Sequence, residues 1–424
     1  MNIHRTIPPA AAPLCWADLF QGIPGAISPA RSLRALEENL RSYFGVRRIF
    51  LVSSGTAALT VALRALKSLA PRREVVIPAY TCFSVPAAVL KAGLQPVLCD
   101  IDPVTFDFDY ALLERTLDDD TLCVVAHHLF GIPSDIERLR ALCQPRGIFL
   151  VEDAAQAMGV ESNGRRLGTL GDAGIFSLGR GKQITCGSGG IIVTNSDHIA
   201  EAIEREWRTL KSPYPLNVLK ELVQLVLMAI FIRPSLYWVP AALPFLRLGQ
   251  TIFPKDIPLE RLSGMHAGVL RNWRDRLAES NRIRSRSAQS FCRRLVRLKP
   301  DTTRIAGPAH PYLRLPIFAE TPREREQMHS VSQQHGLGLS LAYPTPINEI
   351  PEINRLFDGQ RFPAARRVAD HILTLPTHHW LSDKDKRAIA ECVEMTVDRA
   401  YEQPRPRAGC LPVTSRPDVH APAP

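Results

Sequence analysis

The sequence predicts an α/β protein, with a large domain on a mostly parallel sheet and a smaller α+β domain after it. Three observations carry this expectation. From about residue 48 to 194, short β-rich apolar runs alternate with segments of helical period, the pattern of parallel strands joined by crossover helices. A length of 424 residues suits a large domain with a smaller companion. Hydrophobic residues at 45% and charged residues at 22% are ordinary globular usage, which excludes a disordered or collagen-like chain.

The N-terminal run MNIHRTIPPAAAPLCWADLF is broken by prolines before an apolar stretch long enough for a secretory signal can form, so this end is expected in the cytoplasm. The expected strands are Arg48–Ser53, Val75–Pro78, Pro96–Asp100, Leu122–Ala126, Ile148–Asp153, Gly174–Leu178 and Gly190–Thr194. Between them fall helices at Ala57–Ser68, Val85–Ala92 and Asp135–Cys143, the last with Ser134 as N-cap, and residues 197–211 form an amphipathic helix. In an open parallel sheet, ligands sit beyond the carboxyl ends of the strands.

After that helix the pattern changes. Leu222–Ile232 carries no charge, Arg233 interrupts, and Ser235–Leu246 is again uncharged but contains Pro240 and Pro244. Neither half is long enough to span a bilayer, which leaves a buried helical hairpin, a subunit interface or a peripheral membrane contact through 222–246. Residues 271–304 form an Arg-crowded helix whose default reading is a solvated face. The resulting plan is an N-terminal segment 1–30, a large domain 31–215, an apolar insertion 216–264, a small domain 265–402 and a disordered Pro-rich tail 403–424.

The net charge of +10 favours anionic partners, but no helix-turn-helix, zinc or RNP pattern accompanies it, so nucleic acid is not an expected partner. Nine cysteines occur without a CxxC pair and fit a reducing compartment. No metal-ligand spacing is present, and the pairs His127-His128 and His378-His379 are read as structural.

Three segments at strand ends carry chemistry. Ser53-Ser54-Gly55-Thr56-Ala57 leaves a strand and opens a helix; first-turn N–H groups and the Thr56 hydroxyl make an anion cup, or else only a turn and cap. Phe149 to Gln156 is an apolar strand ending in carboxylates. Asp153 there either pairs with a protonated ring nitrogen or caps the next helix, with Glu152 exposed. Gly171 to Lys182 ends a strand at Ser177 and presents Lys182 between glycines beside Arg180, a setting that lowers the pKa of an amine and suits a Schiff base. Together these are the needs of a phosphorylated, positively charged pyridine.

In order along the chain, SSGTAALTVAL, VVIPAYT, PVLCDIDPVTFDFD, HLFGIPSDIERL, VEDAAQAMG, GDAGIFSLGRGKQITCGSGGIIVTN and FPAARRVADHILTLPTHHWLS resemble the DegT/StrS family of pyridoxal-phosphate (PLP) dependent sugar aminotransferases. The resemblance implies a fold type I PLP-dependent transferase, a homodimer with active sites built from both subunits. By position, Lys182 matches the lysine that bonds to the cofactor and shuttles the proton. Asp153 matches the carboxylate on the pyridine nitrogen, Gln156 its neighbour near the ring hydroxyl, and Ser177 the phosphate serine; Gly55, Thr56 and Ala57 match the phosphate cup. Cys82 stands where many members place an aromatic ring, so stacking comes from Phe83 or Tyr80 or is absent; Ser188 replaces the usual acidic residue, and the Asn motif by which a second subunit reaches the phosphate is not found.

The implied reaction moves an amino group from an amino acid, glutamate by resemblance, to a nucleotide-linked keto sugar in polysaccharide or glycoconjugate synthesis. Two alternatives stay open: a non-catalytic regulatory or membrane-associated scaffold, and another PLP-dependent sugar modification, against which the retained Lys182 speaks.

Overall fold

The computed structural model describes residues 5–246, 248–249, 251–295 and 306–402; the Pro-rich tail, Arg297 and Arg304 lie outside the described residues. Its strands are β1 (Arg48–Val52), β2 (Glu74–Pro78), β3 (Gln95–Cys99), β4 (Thr121–His127), β5 (Phe149–Asp153), β6 (Glu161–Ser162), β7 (Arg165–Arg166), β8 (Ala173–Ser177), β9 (Gly190–Thr194), β10 (Arg314–Phe318) and β11 (Ile372–Pro376). Seven of them form one sheet in the order β1-β9-β8-β5-β4-β2-β3. All run parallel except β9, which is antiparallel to both β1 and β8. Each expected strand is present with its ends moved by no more than one residue. The reason is burial on both faces, complete along β4 and β9, which makes each strand an apolar run bounded by turns.

The first eleven helices are α1 (Trp16–Ile27), α2 (Pro29–Phe44), α3 (Gly55–Lys67), α4 (Ser84–Lys91), α5 (Tyr110–Thr116), α6 (Ile136–Cys143), α7 (Asp197–Thr209), α8 (Pro215–Phe231), α9 (Trp238–Ala241), α10 (Gly264–Val269) and α11 (Trp273–Arg294). Their apolar faces close both sides of the sheet. Val61, Leu63 and Ile203 of α3 and α7 pack with Val75 and Ile77 on one side; Leu36, Leu40 and Leu139 of α2 and α6 pack with Ile49 and Leu150 on the other. The N-cap of α6 is Asp135, whose carboxylate accepts the Arg138 N–H, and not Ser134 as expected. Ser134 is occupied elsewhere, its hydroxyl donating to the His127 carbonyl at 3.0 Å.

Beyond α11 lies the smaller α+β unit. The antiparallel pair β10-β11 packs with helices Pro322–His335, Pro363–His371 and Asp383–Glu402. The N-terminal segment straps this unit to the rest. The Ile7 N–H donates to the Gly336 carbonyl, and the Pro8 carbonyl accepts from His378 Nε2, both at 2.8 Å.

The insertion is not a buried hairpin. On α8, Leu225 and Ala229 are buried, whereas Leu216, Leu219, Val223 and Leu227 form an exposed stripe at helical spacing. Trp16, Phe20, Ile23 and Ile27 make a second exposed stripe on α1, which touches α8. No helix among the described residues is long and apolar enough to cross a membrane.

Burial pushes four imidazoles down, His127, His266 and His379 to about 4 and His378 to about 3. Unfolding returns each toward about 6.5, so the unfolded chain binds more protons and stability falls as pH drops through that window. Thermal unfolding followed by circular dichroism is expected to show a midpoint that declines continuously from about pH 7 to about pH 4. A flat profile would mean that these rings are hydrated.

Candidate active site

The carboxyl ends of β1, β5 and β8 meet at one place. Ser54 caps α3 by accepting the Ala57 N–H at 3.0 Å, so this amide is committed to the cap. The N–H groups of Gly55 and Thr56 find no acceptor among the described residues. Ser177, at the end of β8, lies directly over them. A Cβ at position 55 would sit 2.8 Å from Ser177 Cβ and 3.0 Å from its Oγ, so this close approach requires glycine. Two free amides at a helix N-terminus with a hydroxyl facing them form a cradle for a phosphate.

The adjacent carboxylates at the end of β5 divide their roles between the two faces of the sheet. Glu152 is neither exposed nor idle. It accepts from His128 Nε2 at 2.9 Å and from the N–H groups of Gly168 (2.8 Å), Gly171 (2.6 Å) and Leu170. Burial pushes its carboxyl up, but His128 and these amides outweigh that and hold it below the usual range. His128 Nδ1 accepts the Ser134 N–H, so the ring is fixed as a structural donor. Asp153 does not cap a helix. It accepts the Ala155 N–H at 3.0 Å and turns its charge toward His127 and Lys182. His127, which shares a hydrogen bond with the Thr81 hydroxyl, stays neutral beside it.

Lys182 follows Gly181, whose φ of +74° is left-handed and whose added Cβ would lie 2.9 Å from Ala10 Cβ. Its amine is held below the ordinary lysine range by burial first, with Arg314 adding to the shift and the Cys82 and Asp153 charges opposing it. The expected cationic neighbour, Arg180, is exposed and hydrogen-bonds Gln224 at 3.2 Å instead. Cys82 borders Lys182. Phe83 is buried and stacks on Tyr343 at 6.4 Å, and Tyr80 meets the same ring edge-on at 5.6 Å. Gln156 accepts from the Phe130 N–H at 3.1 Å and donates to the Tyr343 hydroxyl at 2.8 Å, a contact that fixes its amide.

Sequence reasoning missed three residues here. Arg284, assigned to a solvated face, is buried and donates to the carbonyls of Leu313 (2.7 Å), Ala11 (2.8 Å) and Lys182 (3.3 Å), so it ties the lysine loop to the N-terminal strap and to β10. Its helix register was the available signal, because Leu277, Ser280, Ala288 and Phe291 on the same stripe are all buried. Arg314 and Tyr343 reach the site from distant sequence, without a local signal.

A phosphate cradle, a carboxylate and a buried amine of lowered pKa on one floor are what a phosphorylated pyridine aldehyde requires. Comparison with known proteins agrees. The model of the DegT/DnrJ/EryC1/StrS aminotransferase family matches residues 25–211 and 259–394. The chain belongs to this family. It is an enzyme of the aminotransferase class. Among its relatives, UDP-N-acetyl-3-dehydro-alpha-D-glucosamine 3-aminotransferase of Acidithiobacillus ferrooxidans is 29% identical, over 86% of this chain and 88% of that protein. A pleiotropic regulatory protein of Geobacillus stearothermophilus is 27% identical over 85% and 87%. Among solved structures, DesI with its TDP-sugar product superposes with TM-score 0.74 at 23% identity, covering 94% of each chain. Helicobacter pylori PseC, an aminotransferase of pseudaminic acid biosynthesis, gives 0.72 at 18%, covering 93% of this chain and 100% of its own. These structural likenesses establish the α/β fold.

Proposed function

We propose that this member of the family transfers an amino group from an amino acid, glutamate first among donors, to the keto group of a sugar carried on a phosphate-linked handle, with PLP as cofactor. The observation that carries the reading is the convergence of the Gly55-Thr56-Ser177 cradle, Asp153 and the Lys182 amine at the sheet's carboxyl edge. Relatives named for work on sugars, the UDP-sugar 3-aminotransferase above and a GDP-perosamine synthase of Vibrio cholerae, support the acceptor class.

When bound, PLP supplies an electron sink for the carbon that loses or gains the amine. The residues of this chain do the remainder. The amides of Gly55 and Thr56 with Ser177 would hold the cofactor's phosphate, and Asp153 would keep the ring nitrogen protonated. Lys182 Nζ would hold the cofactor and move the proton at the reacting carbon, and Arg284 fixes that loop through the Lys182 carbonyl. Phe83 packs Tyr343, which in turn fixes the Gln156 amide, the group that would neighbour the cofactor's ring hydroxyl. The exposed stripes of α1 and α8 suit a subunit contact and support a homodimer; nothing in the reading requires export, and we place the enzyme in the cytoplasm.

The test is the visible absorbance of protein reconstituted with PLP. A band that bleaches on adding glutamate alone is expected. No band, or none that any amino acid discharges, would sink the reading. With Asp153→Asn, the band is expected to remain while discharge slows by about 10²-fold to 10³-fold, because a neutral amide no longer holds the ring proton. An undiminished rate would remove Asp153 from this role.

A further inference from the structure

A cavity of about 540 Å³ opens beside Lys182, between the N-terminal strap and the apolar insertion. That size falls within the range of small-molecule sites. Its two ends differ in chemistry. At one end stand Arg180, exposed and hydrogen-bonded to Gln224 at 3.2 Å, and Gly181, the two residues before the lysine, together with Arg314, whose charge acts on the lysine amine. The Arg314 side chain makes no hydrogen bond or ion pair with a described residue, and its Nε is buried without a partner. An unpaired guanidinium in such a place is made for an anion, and its planar fork suits a phosphate.

The outer end has no such hooks. Its wall is mostly apolar, made by the insertion through Met228, Phe231, Ile232, Val239, Leu243 and Leu246, with Gln224 and Tyr237 as the insertion's polar side chains and the hydroxyls of Thr185 and Ser340 also on the lining. Leu243 and Leu246 are themselves exposed, so the apolar lining continues to the protein surface. A nucleoside seated against these apolar side chains would bury more base and ribose polar atoms than the few polar groups of the lining can match, at a cost of roughly tenfold or more in affinity for each unmatched atom. A hydrocarbon chain would bury the same area without that cost.

We infer that the acceptor sugar of this enzyme is carried on a polyisoprenoid diphosphate, the diphosphate on Arg314 and Arg180 and the isoprenoid chain in the insertion's apolar chamber. The inference rests on the aminotransferase reading and deepens it. It also gives the insertion a purpose, since a chamber with an apolar mouth receives a substrate whose tail lies in a membrane, without any helix crossing it.

The probe is farnesyl diphosphate, compared with uridine diphosphate, each titrated against the PLP-loaded protein by calorimetry. Farnesyl diphosphate is expected to bind at least tenfold more tightly. Arg314→Gln should weaken both ligands, and the paired rim substitutions Leu243→Asp and Leu246→Asp should remove the tenfold preference. Because both rim positions are partly exposed, the variant should fold, which the unchanged far-ultraviolet spectrum would verify. Uridine diphosphate binding as tightly as farnesyl diphosphate in the wild type would overturn the inference and favour a nucleotide-linked acceptor. A preference that survives the rim substitutions would also overturn it and leave the chamber to a second copy of the chain. Discharge of the cofactor band by glutamate is independent of either ligand, so it tests the parent reading separately.

Discussion

Lys182→Ala is expected to abolish amino transfer, with the rate of cofactor discharge by glutamate falling by about 10⁴-fold or more, the upper end of what one positioned acid–base group supplies. The size follows from how singular the residue is. Lys182 presents its amine at the end of a loop whose backbone is fixed at both sides, by the left-handed Gly181 packed on Ala10 and by Arg284 on the Lys182 carbonyl. Burial and Arg314 keep that amine below the ordinary lysine range, so a larger neutral fraction exists near neutral pH than a surface lysine offers. Lys182→Arg should fare no better than alanine, because a guanidinium stays protonated and cannot form the Schiff base. Single-turnover discharge with glutamate isolates this step from the acceptor. The rate should rise with pH and level off below the ordinary lysine pKa, since deprotonation of a group lowered in the folded enzyme is complete earlier. Discharge within tenfold of wild type in Lys182→Ala would show that the lysine is not the catalytic base.

Most of the sheet was legible because parallel strands covered on both faces become unbroken apolar runs, and the turns around them carry Gly, Asp and Ser. The same double coverage hid the direction of β9. Gly190–Thr194 is buried at every position, so its pattern is that of any parallel neighbour although it runs antiparallel. The local parts of the site, Gly55-Thr56, Asp153, Ser177 and Lys182, each end a strand or lie within five residues after one, and could be located by that fact. What escaped was long-range. The strap of residues 5–14 has no periodicity of its own, and its place is dictated by partners such as His378, Gly336 and Arg284. Arg284 was misread because charge was weighed ahead of register. A buried guanidinium is tolerated only where carbonyls surround it, and here three loop carbonyls and the Thr377 hydroxyl do so. The exposed stripes of α1 and α8 show the converse, helical spacing without a covering partner in the single chain.

Glu152→Ala is expected to cost about 3–5 kcal/mol of folding stability, the largest structural effect of a single substitution near the site. Glu152 is fully buried, and its two oxygens satisfy three backbone N–H groups and His128. Alanine strands all four donors at once and leaves a void where water cannot readily replace them. Glu152→Gln should lose less, about 1–2 kcal/mol, because one oxygen still accepts while the new amide hydrogens face donors. Urea midpoints for the three proteins measure this ordering directly. The carboxyl is lowered in the folded state, so its contribution is present above the unfolded value of about 4.5 and is lost as pH falls through the folded one. The difference between wild type and Glu152→Gln should therefore shrink in acid. Equal midpoints at neutral pH would show that the loop from Gly168 to Gly171 stands without Glu152. A large difference instead makes this carboxylate the support of β8, because that loop leads directly into the strand ending at Ser177, and a loosened β8 would misplace the phosphate cradle before any residue touching the cofactor had changed.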